Sequence, residues 1–377
     1  MAITVFVLGL AFILYVLAFY PLLLDLRVRL YSKPIRKQWQ PRTVSIVLPV
    51  YNGEPWIANK LQSILDLDYP RELLQILVIS DGSTDRTDEI VSKFASSGVE
   101  LIRDRHLGKA VALNSGMARA TGEILFFTDA RQPLESRSLR TLIENFADPK
   151  VGVASGALII QDAQSQQEAQ VGLYWRYEKW IRMRLSQVDS VLGATGCIYA
   201  MRKELAVPLP AGTLVDDMYL PLAAFFRGYR VILDPGAKAF DYPTSLESEF
   251  DRKVRTLAGV IQIIRAYPAL LGPRNRMWIH FMSHKVSRLL LPYALAAVFV
   301  SSMWLPPPWA KLTLAGQSAF CWVAVLDSSI PDRGLLKRIT SAARTFLVLM
   351  AAAVCAVSIL FSPDKDFWRH TKAKADL

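Results

Sequence analysis

The sequence predicts an α/β fold, a doubly wound parallel sheet carried between membrane-spanning helices. Three observations predict it. From Thr43 to Ala130, short β-branched runs alternate with helical patterns, the spacing of strand–helix–strand units in a parallel sheet. Charge-free apolar stretches stand near both ends of the chain. Pro49 to Asn52, Asp81 and Asp129 all fall where predicted strands end, the edge at which such sheets take ligands.

Met1 to Leu24 carries no charge, and a bilayer span needs about 20 residues. Asp25, Arg27, Arg29, Lys33, Arg36 and Lys37 come directly after it. A cleaved signal peptide would want a basic start, a shorter apolar core and a small-residue cleavage site, and none stands here. Residues 1–24 therefore read as an uncleaved anchor, and the basic flank places the domain beyond it in the cytoplasm. "TVSIVLPVYN" is a β-branched strand stopped by Pro49 and a turn, and Glu54 to Leu67 is helix-like. "LLQILVISDGSTD" is a second strand entering a Gly/Ser turn, with Asp85 to Phe94 a helix behind it. "VELIRD" is a third strand, Lys109 to Ala120 a helix, and "EILFFTDA" a fourth strand.

Apolar runs return after Arg288. Leu289 to Ala310 is charge-free, breaks at Pro306 to Pro308, and carries Trp304 and Trp309 for the interface. Leu312 to Leu326 is only fifteen residues long, short enough to be buried or re-entrant. Thr345 to Pro363 is a good span. The expected count is four membrane segments, the third being the weakest. That count leaves Lys365, Arg369, Lys372 and Lys374 outside, against the positive-inside tendency. The expected layout is an anchor at 1–24, a catalytic domain at 43–245, interfacial helices at 246–288, a membrane region of about three segments at 289–363, and a tail at 364–377.

Composition agrees with a membrane protein. Hydrophobic residues make up 52% of the 377, high for a soluble domain. The net charge of +11 suits nucleic acid, anionic lipid or phosphorylated substrates. Its basic residues cluster beside apolar runs, from Arg27 to Arg42 and from Arg252 to Arg288, which favours lipid. No aromatic-studded RNA motif, heptad array or internal repeat occurs, so nucleic acid is not an expected partner. Cys197, Cys321 and Cys355 show no CxxC or metal spacing, so no disulfide framework is expected.

Each candidate site residue has a chemical and a plain reading. Tyr51, after the first strand, offers a ring on which a base gains about 1–3 kcal/mol by stacking; otherwise it packs in a turn. Asp81 can accept from a pyrimidine N–H or cap the turn before Gly82. Lys109 comes after Gly108 at a helix start, where backbone N–H groups and an ammonium can both face a diphosphate; alone it would be a solvated charge. In "FFTDARQ", Asp129 ends an apolar strand as a metal-delivering acid does, but Arg131 stands where a second acid would complete a cation pair. "LVDDMYL" supplies Asp216 and Asp217, either a base for a hydroxyl or acids favoured at a helix N-terminus. Arg252 and Arg255 share a helix face at i and i+3. Gly193 and Gly196, in "LGATGCIYAMR", let a ligand approach the backbone or simply form a turn. Trp175, Tyr177 and Trp180 read first as core or membrane anchors, and only second as rings for an acceptor sugar.

"SIVLPVYNGE", "YPRELLQILVISDGSTDRT", "GKAVALNSGM", "GEILFFTDA", "VDDMYLPL…GYRV" and "RKVRT" occur in this order. Together they resemble the membrane-bound family 2 glycosyltransferases, which include cellulose, chitin, hyaluronan and poly-N-acetylglucosamine synthases. The resemblance spans about residues 43 to 262. It implies a GT-A fold in a cytosolic domain and an inverting transfer from a nucleotide-diphosphate sugar, usually UDP-linked. It further implies a surface polysaccharide or lipid-linked acceptor, accessory export subunits as partners, and a multi-pass home in the plasma (inner) membrane. Asp217 matches the aspartate of the family's "TED" and would be the base, with Asp216 orienting it. Tyr51, Glu54, Asp81, Lys109, Asp129 and Arg131 would bind the donor. Gly193 and Gly196 would line the acceptor site, and Arg255 would neutralise the leaving diphosphate. Asp129 would hold Mg²⁺ or Mn²⁺, weakened because Arg131 brings donors rather than a hard oxygen. Arg-Lys-Val-Arg-Thr stands for the family's "QxxRW", so Arg252 replaces Gln and Thr256 replaces the Trp that packs on an acceptor sugar. That departure bears on processivity and admits a non-processive transferase; a nucleotide-binding subunit without activity is the remaining alternative.

Overall fold

The computed structural model describes residues 1–161, 173–242, 246–331 and 334–361. Within these the chain forms two compact units. Of the described residues, the sheet unit takes 32–161 and 185–242, and the helical unit takes 1–31, 173–184, 246–331 and 334–361. The expected tail at 364–377 lies outside the described residues.

The sheet has seven strands: β1 (Val44–Val50), β2 (Leu74–Asp81), β3 (Val99–Asp104), β4 (Ile124–Thr128), β5 (Val151–Ile160), β6 (Ile198–Arg202) and β7 (Arg230–Asp241). Their order is β3-β2-β1-β4-β6-β5-β7. Every residue of β1 and of β4 is buried. A strand covered by helices on both faces needs such an unbroken apolar run rather than an alternating one. β3, at the edge, buries only Val99 and Ile102. The helix Ile57–Leu65 buries Ile57, Leu61 and Ile64, one face at i, i+4 and i+7. These join Ile46, Leu48, Val78, Phe126, Leu142 and Phe146 in one core, each large side chain contributing about 1.5–3 kcal/mol on burial.

The expected all-parallel sheet needs one correction. β1 to β4 pair in parallel, as do β5 and β7, but β6 runs antiparallel to both β4 and β5. The reversal has a consequence for chemistry. Ile198 opens β6 opposite Thr128, which closes β4. The glycine-rich loop entering β6 is thereby brought beside Asp129, which leaves β4.

In the helical unit, three helices among the described residues are long and apolar enough to cross a bilayer: Ala2–Leu30, Trp278–Ser302 and Leu335–Leu360. They mark a membrane-associated protein. Four segments were expected; Trp309–Val325 is helical but only 17 residues long and is not among the three. The first helix continues past the charge-free residues through Asp25, Arg27 and Arg29, because charged ends reach the headgroup region without breaking a helix. For the same reason the second begins at Trp278 rather than Leu289 and the third at Leu335 rather than Thr345. Ile13, Val16, Leu291 and Val298 form an apolar cluster with Phe346 and Met350 packed on it, so all three helices share one interior.

Candidate active site

Asp129 comes directly after β4, Lys109 opens the helix Lys109–Arg119, and Asp216 and Asp217 open the helix Asp216–Phe226. The sheet brings them to one place. Lys109 Nζ lies 2.9 Å from Asp129 Oδ1 and 3.3 Å from Asp216 Oδ1. Asp216 is buried, while Asp217 is half-buried. The loop before β6 wraps the second acid. Ala194 N–H donates to the Asp217 carbonyl at 2.6 Å. A Cβ on Gly196 would stand 3.2 Å from Asp217 Oδ2, so glycine there lets the loop approach the carboxylate. Gly193 is tighter still, since its Cβ would meet the Met218 side chain at 2.7 Å.

Burial alone would push Lys109 down, but the carboxylates of Asp129, Asp216 and Asp217 outweigh it and hold the ammonium above the ordinary lysine range. One permanent cation thus sits among three carboxylates. That cluster has surplus negative charge, so a diphosphate would enter against repulsion unless a further cation accompanied it. Among the described residues no group of three His, Cys, Asp or Glu side chains forms a metal cluster. The carboxylate oxygens are nonetheless the hard donors that Mg²⁺ and Mn²⁺ take, and such ions commonly complete their shell with phosphate and water. The residues fit a cation held from the protein side by Asp129.

Arg131 turns away from this group. Its Nε lies 2.9 Å from Asp241 Oδ1, at the end of β7, and its guanidinium also donates to the Tyr242 carbonyl at 3.3 Å. Asp241 is buried and also accepts from Gln132 Nε2 at 2.9 Å. Arg131, expected as a donor-binding residue, is here the partner of a buried acid.

The base-binding expectation meets a preorganised corner. Tyr51 stacks on His106, ring centroids 4.1 Å apart and 20° between planes. Asp81 Oδ1 accepts from the Leu107 and Gly108 N–H groups at 2.8 and 3.1 Å, and Oδ2 lies 3.0 Å from His106 Nδ1. Gly82 turns at φ +68°, and a Cβ there would sit 2.7 Å from His106 N. Asp81 therefore holds the loop before Lys109, and a base contact would share its oxygens. Glu54 accepts from Arg86 N–H at 3.1 Å, fastening the first strand–helix turn to the second.

Two residues here carry no signal in the sequence. Lys60 is fully buried and its Nζ donates to Thr128 Oγ1 at 2.6 Å and to the Gln132 carbonyl at 2.5 Å. It clamps both sides of the turn that presents Asp129. Burial pulls it down to about 7. Tyr199, on β6, stacks on Phe127 at 4.8 Å. Its hydroxyl is buried with no hydrogen-bond partner among the described residues. Burial, then Asp216, Asp217 and Asp129, push it well above the ordinary phenol range. A lysine on an otherwise apolar helix face and a tyrosine in a strand give no spacing pattern to find.

Arg252 and Arg255 belong to the helical unit, on the helix Leu246–Ala266. Arg252 lies 3.9 Å from Glu249, and Thr256 Oγ1 donates to the Arg252 carbonyl at 2.8 Å. Trp175, Tyr177 and Trp180 each face a cation of their own unit: Lys253 at 5.2 Å, Arg288 at 5.9 Å and Arg184 at 5.4 Å.

A mostly parallel sheet with acids and a helix-start lysine at its carboxyl edge defines the GT-A class. Residues 45–207 match the model of Glycosyl transferase family 2. It is 26% identical over 210 residues to Probable glycosyltransferase YdaM of Bacillus subtilis (strain 168), covering 52% of this chain and 49% of that one. It is 26% identical over 250 residues to Poly-beta-1,6-N-acetyl-D-glucosamine synthase of Staphylococcus aureus (strain COL), covering 64% and 60%. The chain thus spans about half to three-fifths of these relatives. The fold is similar to that of the mannosyltransferase PcManGT from Pyrobaculum calidifontis in complex with GDP-Man and Mn²⁺, with a TM-score of 0.73, 22% identity, and 96% and 98% of the two chains covered.

Proposed function

We propose that this protein is an inverting hexosyltransferase that moves a sugar from a UDP-sugar to the growing end of a surface or exopolysaccharide. The work would be done at the cytoplasmic face of the plasma (inner) membrane. The observation that carries the reading is the single ammonium of Lys109 among Asp129, Asp216 and Asp217 at the carboxyl edge of the sheet. The synthase relative supports a polymer as product.

The chemistry is one displacement. An acceptor hydroxyl attacks the anomeric carbon while the bond from that carbon to the diphosphate oxygen breaks. Asp217, half-buried and cradled by Gly196, takes the hydroxyl proton. Asp216, buried and paired with Lys109, holds the start of the helix and so orients Asp217. Lys109 faces the oxygens that gain charge as the diphosphate leaves. A divalent cation held by Asp129 would supply further neutralisation of the leaving group.

A second reading, transfer of one sugar to a lipid-linked acceptor, is favoured by Thr256, which offers no aromatic face to a sugar ring. The test is mass analysis of products from the purified full chain, a panel of UDP-sugars and an added acceptor. Sugar transfer with release of UDP supports the proposal. UDP-sugar binding without turnover on any acceptor would instead make this a binding subunit.

A further inference from the structure

Lys60 stands where the turn after β4 and the loop before β6 meet. It lies on the helix Ile57–Leu65 and is buried, as are Thr128 and Cys197. An ammonium has three protons and no acceptor, so toward Thr128 it can only donate, and Lys60 Nζ lies 2.6 Å from Thr128 Oγ1. The single proton of that hydroxyl must then go elsewhere, and Thr128 Oγ1 donates it to the Cys197 carbonyl at 2.7 Å. The chain Lys60–Thr128–Cys197 therefore runs in one direction only, and away from water each bond strengthens the next. The same helix also holds the far side of the turn. Lys60 Nζ donates to the Gln132 carbonyl, and Ser63 Oγ donates to the Lys60 carbonyl at 2.8 Å and accepts from Leu134 N–H at 3.1 Å.

The two ends of this chain reach different acids. Asp129 is the residue after Thr128 and pairs with Lys109 at 2.9 Å. Gly196 is the residue before Cys197, and a Cβ there would stand 3.2 Å from Asp217 Oδ2. In the same loop, Ala194 N–H donates to the Asp217 carbonyl at 2.6 Å. One ammonium thus bears both on the acid that faces the donor and on the loop around the acid proposed to take the proton. β5 supplies the other hold on that loop: Thr195 N–H donates to Ser155 Oγ at 2.8 Å, and Thr195 Oγ1 donates to the Gly156 carbonyl at 2.7 Å. Those bonds fix Thr195, and the Thr128 hydroxyl fixes Cys197 on the other side of Gly196.

We infer that Lys60 is a positioning residue for sugar transfer: acting through Thr128, it holds the Asp129 turn and the Gly196 loop as one piece. The roles of the two acids rest on the transfer reading; the link between the two segments does not.

Hydrogen exchange of the full chain in detergent, read by mass spectrometry, tests the link, and single-turnover transfer tests its use. Lys60→Met keeps the length of the side chain and loses its donors. It should speed exchange in peptides containing Leu134, and also in those containing Ala194 and Thr195, which Lys60 does not touch. The expected factor is about fivefold in each, the weight of one lost hydrogen bond. UDP-sugar affinity should weaken a few-fold, and transfer at saturating donor should fall about tenfold, part of the ~10² that a 1 Å misplacement costs. Thr128→Val should give the same two losses, and Thr128→Ser, which keeps the hydroxyl, should keep both values near wild type. Ser45→Ala removes a buried hydroxyl at the opposite end of the sheet, where it donates to Gln75 Oε1 at 2.6 Å. It should cost stability and leave transfer unchanged. Faster exchange at Leu134 alone, a loss confined to donor affinity, or an equal transfer loss in Ser45→Ala would each overturn the inference. An unmodified protein that transfers no sugar would refute the functional reading, while the exchange comparison would still decide the link.

Discussion

Arg131→Ala separates a structural arginine from a cation substitute. Arg131 Nε lies 2.9 Å from the buried carboxylate of Asp241. Removing one partner of a buried pair costs about 3–5 kcal/mol when the other charge is left alone. Asp241 is not left alone, because Gln132 Nε2 at 2.9 Å and Tyr242 N–H at 2.8 Å still donate to it. The Arg131 side chain is also 28% exposed, so water already screens the pair. The expected loss is therefore about 2–3 kcal/mol, which for a unit of this size lowers Tm by roughly 4–12 °C. Thermal unfolding of the detergent-solubilised protein, monitored by intrinsic fluorescence, reads that shift. Turnover after chelation and metal titration reads the chemistry. Wild type and Arg131→Ala should share one saturable metal requirement, since the arginine points at Asp241 rather than at Asp129. Arg131→Asp is a poorer probe, because it would set a second carboxylate against the buried one. An unshifted Tm together with full wild-type activity in chelator that Arg131→Ala abolishes would refute this reasoning.

Three further outcomes rest on particular contacts. Lys60 sits at about 7 in the fold against 10.5 ordinarily, so between those values the unfolded chain holds a proton that the folded chain has released. Stability should then rise with pH across that window by up to about 1.4 kcal/mol per pH unit, and Lys60→Met should flatten the rise; an unchanged slope in denaturant titrations counts against the assignment. Gly196→Ala places a Cβ 3.2 Å from Asp217 Oδ2, a displacement of a few tenths of an ångström. Turnover should fall roughly tenfold, short of the ~10² that a full 1 Å misplacement costs, with donor affinity kept; unaltered turnover would remove Asp217 from the reaction. Thr256 has no ring to hold an acceptor, so products under excess acceptor and single-encounter dilution should be short, and Thr256→Trp should lengthen them. Long polymer from the unmodified protein alone would contradict the distributive reading.

β1, β2 and β4 were legible because central parallel strands need continuous apolar runs, and "VSIVLPV" and "ILFFT" are such runs. β5 was not, since Gly152, Ala154, Ser155, Gly156 and Ala157 dilute its pattern. β7 carries Pro235 and Gly236 in its middle, which read as a turn. The direction of β6 is a tertiary choice that no local period encodes. The same division runs through the site. Asp129 and Lys109 were readable because a parallel sheet delivers strand ends and helix starts to one edge. Partner choice was not: Arg131 meets Asp241, and Lys60 meets Thr128 and Gln132, across long separations fixed by packing. Arg131 beside Asp129 in sequence suggested a shared site, but successive side chains after a strand point apart, and the buried acid on β7 claimed the arginine.

Asp217→Asn tests the central claim most directly. The amide keeps the size of the side chain and its contact with Gly196 but cannot take a proton. UDP-sugar affinity, measured by calorimetry, should stay within a few-fold of wild type, while single-turnover sugar transfer should fall by about 10²–10⁴. Transfer at the wild-type rate in this variant would place the base elsewhere and contradict the account.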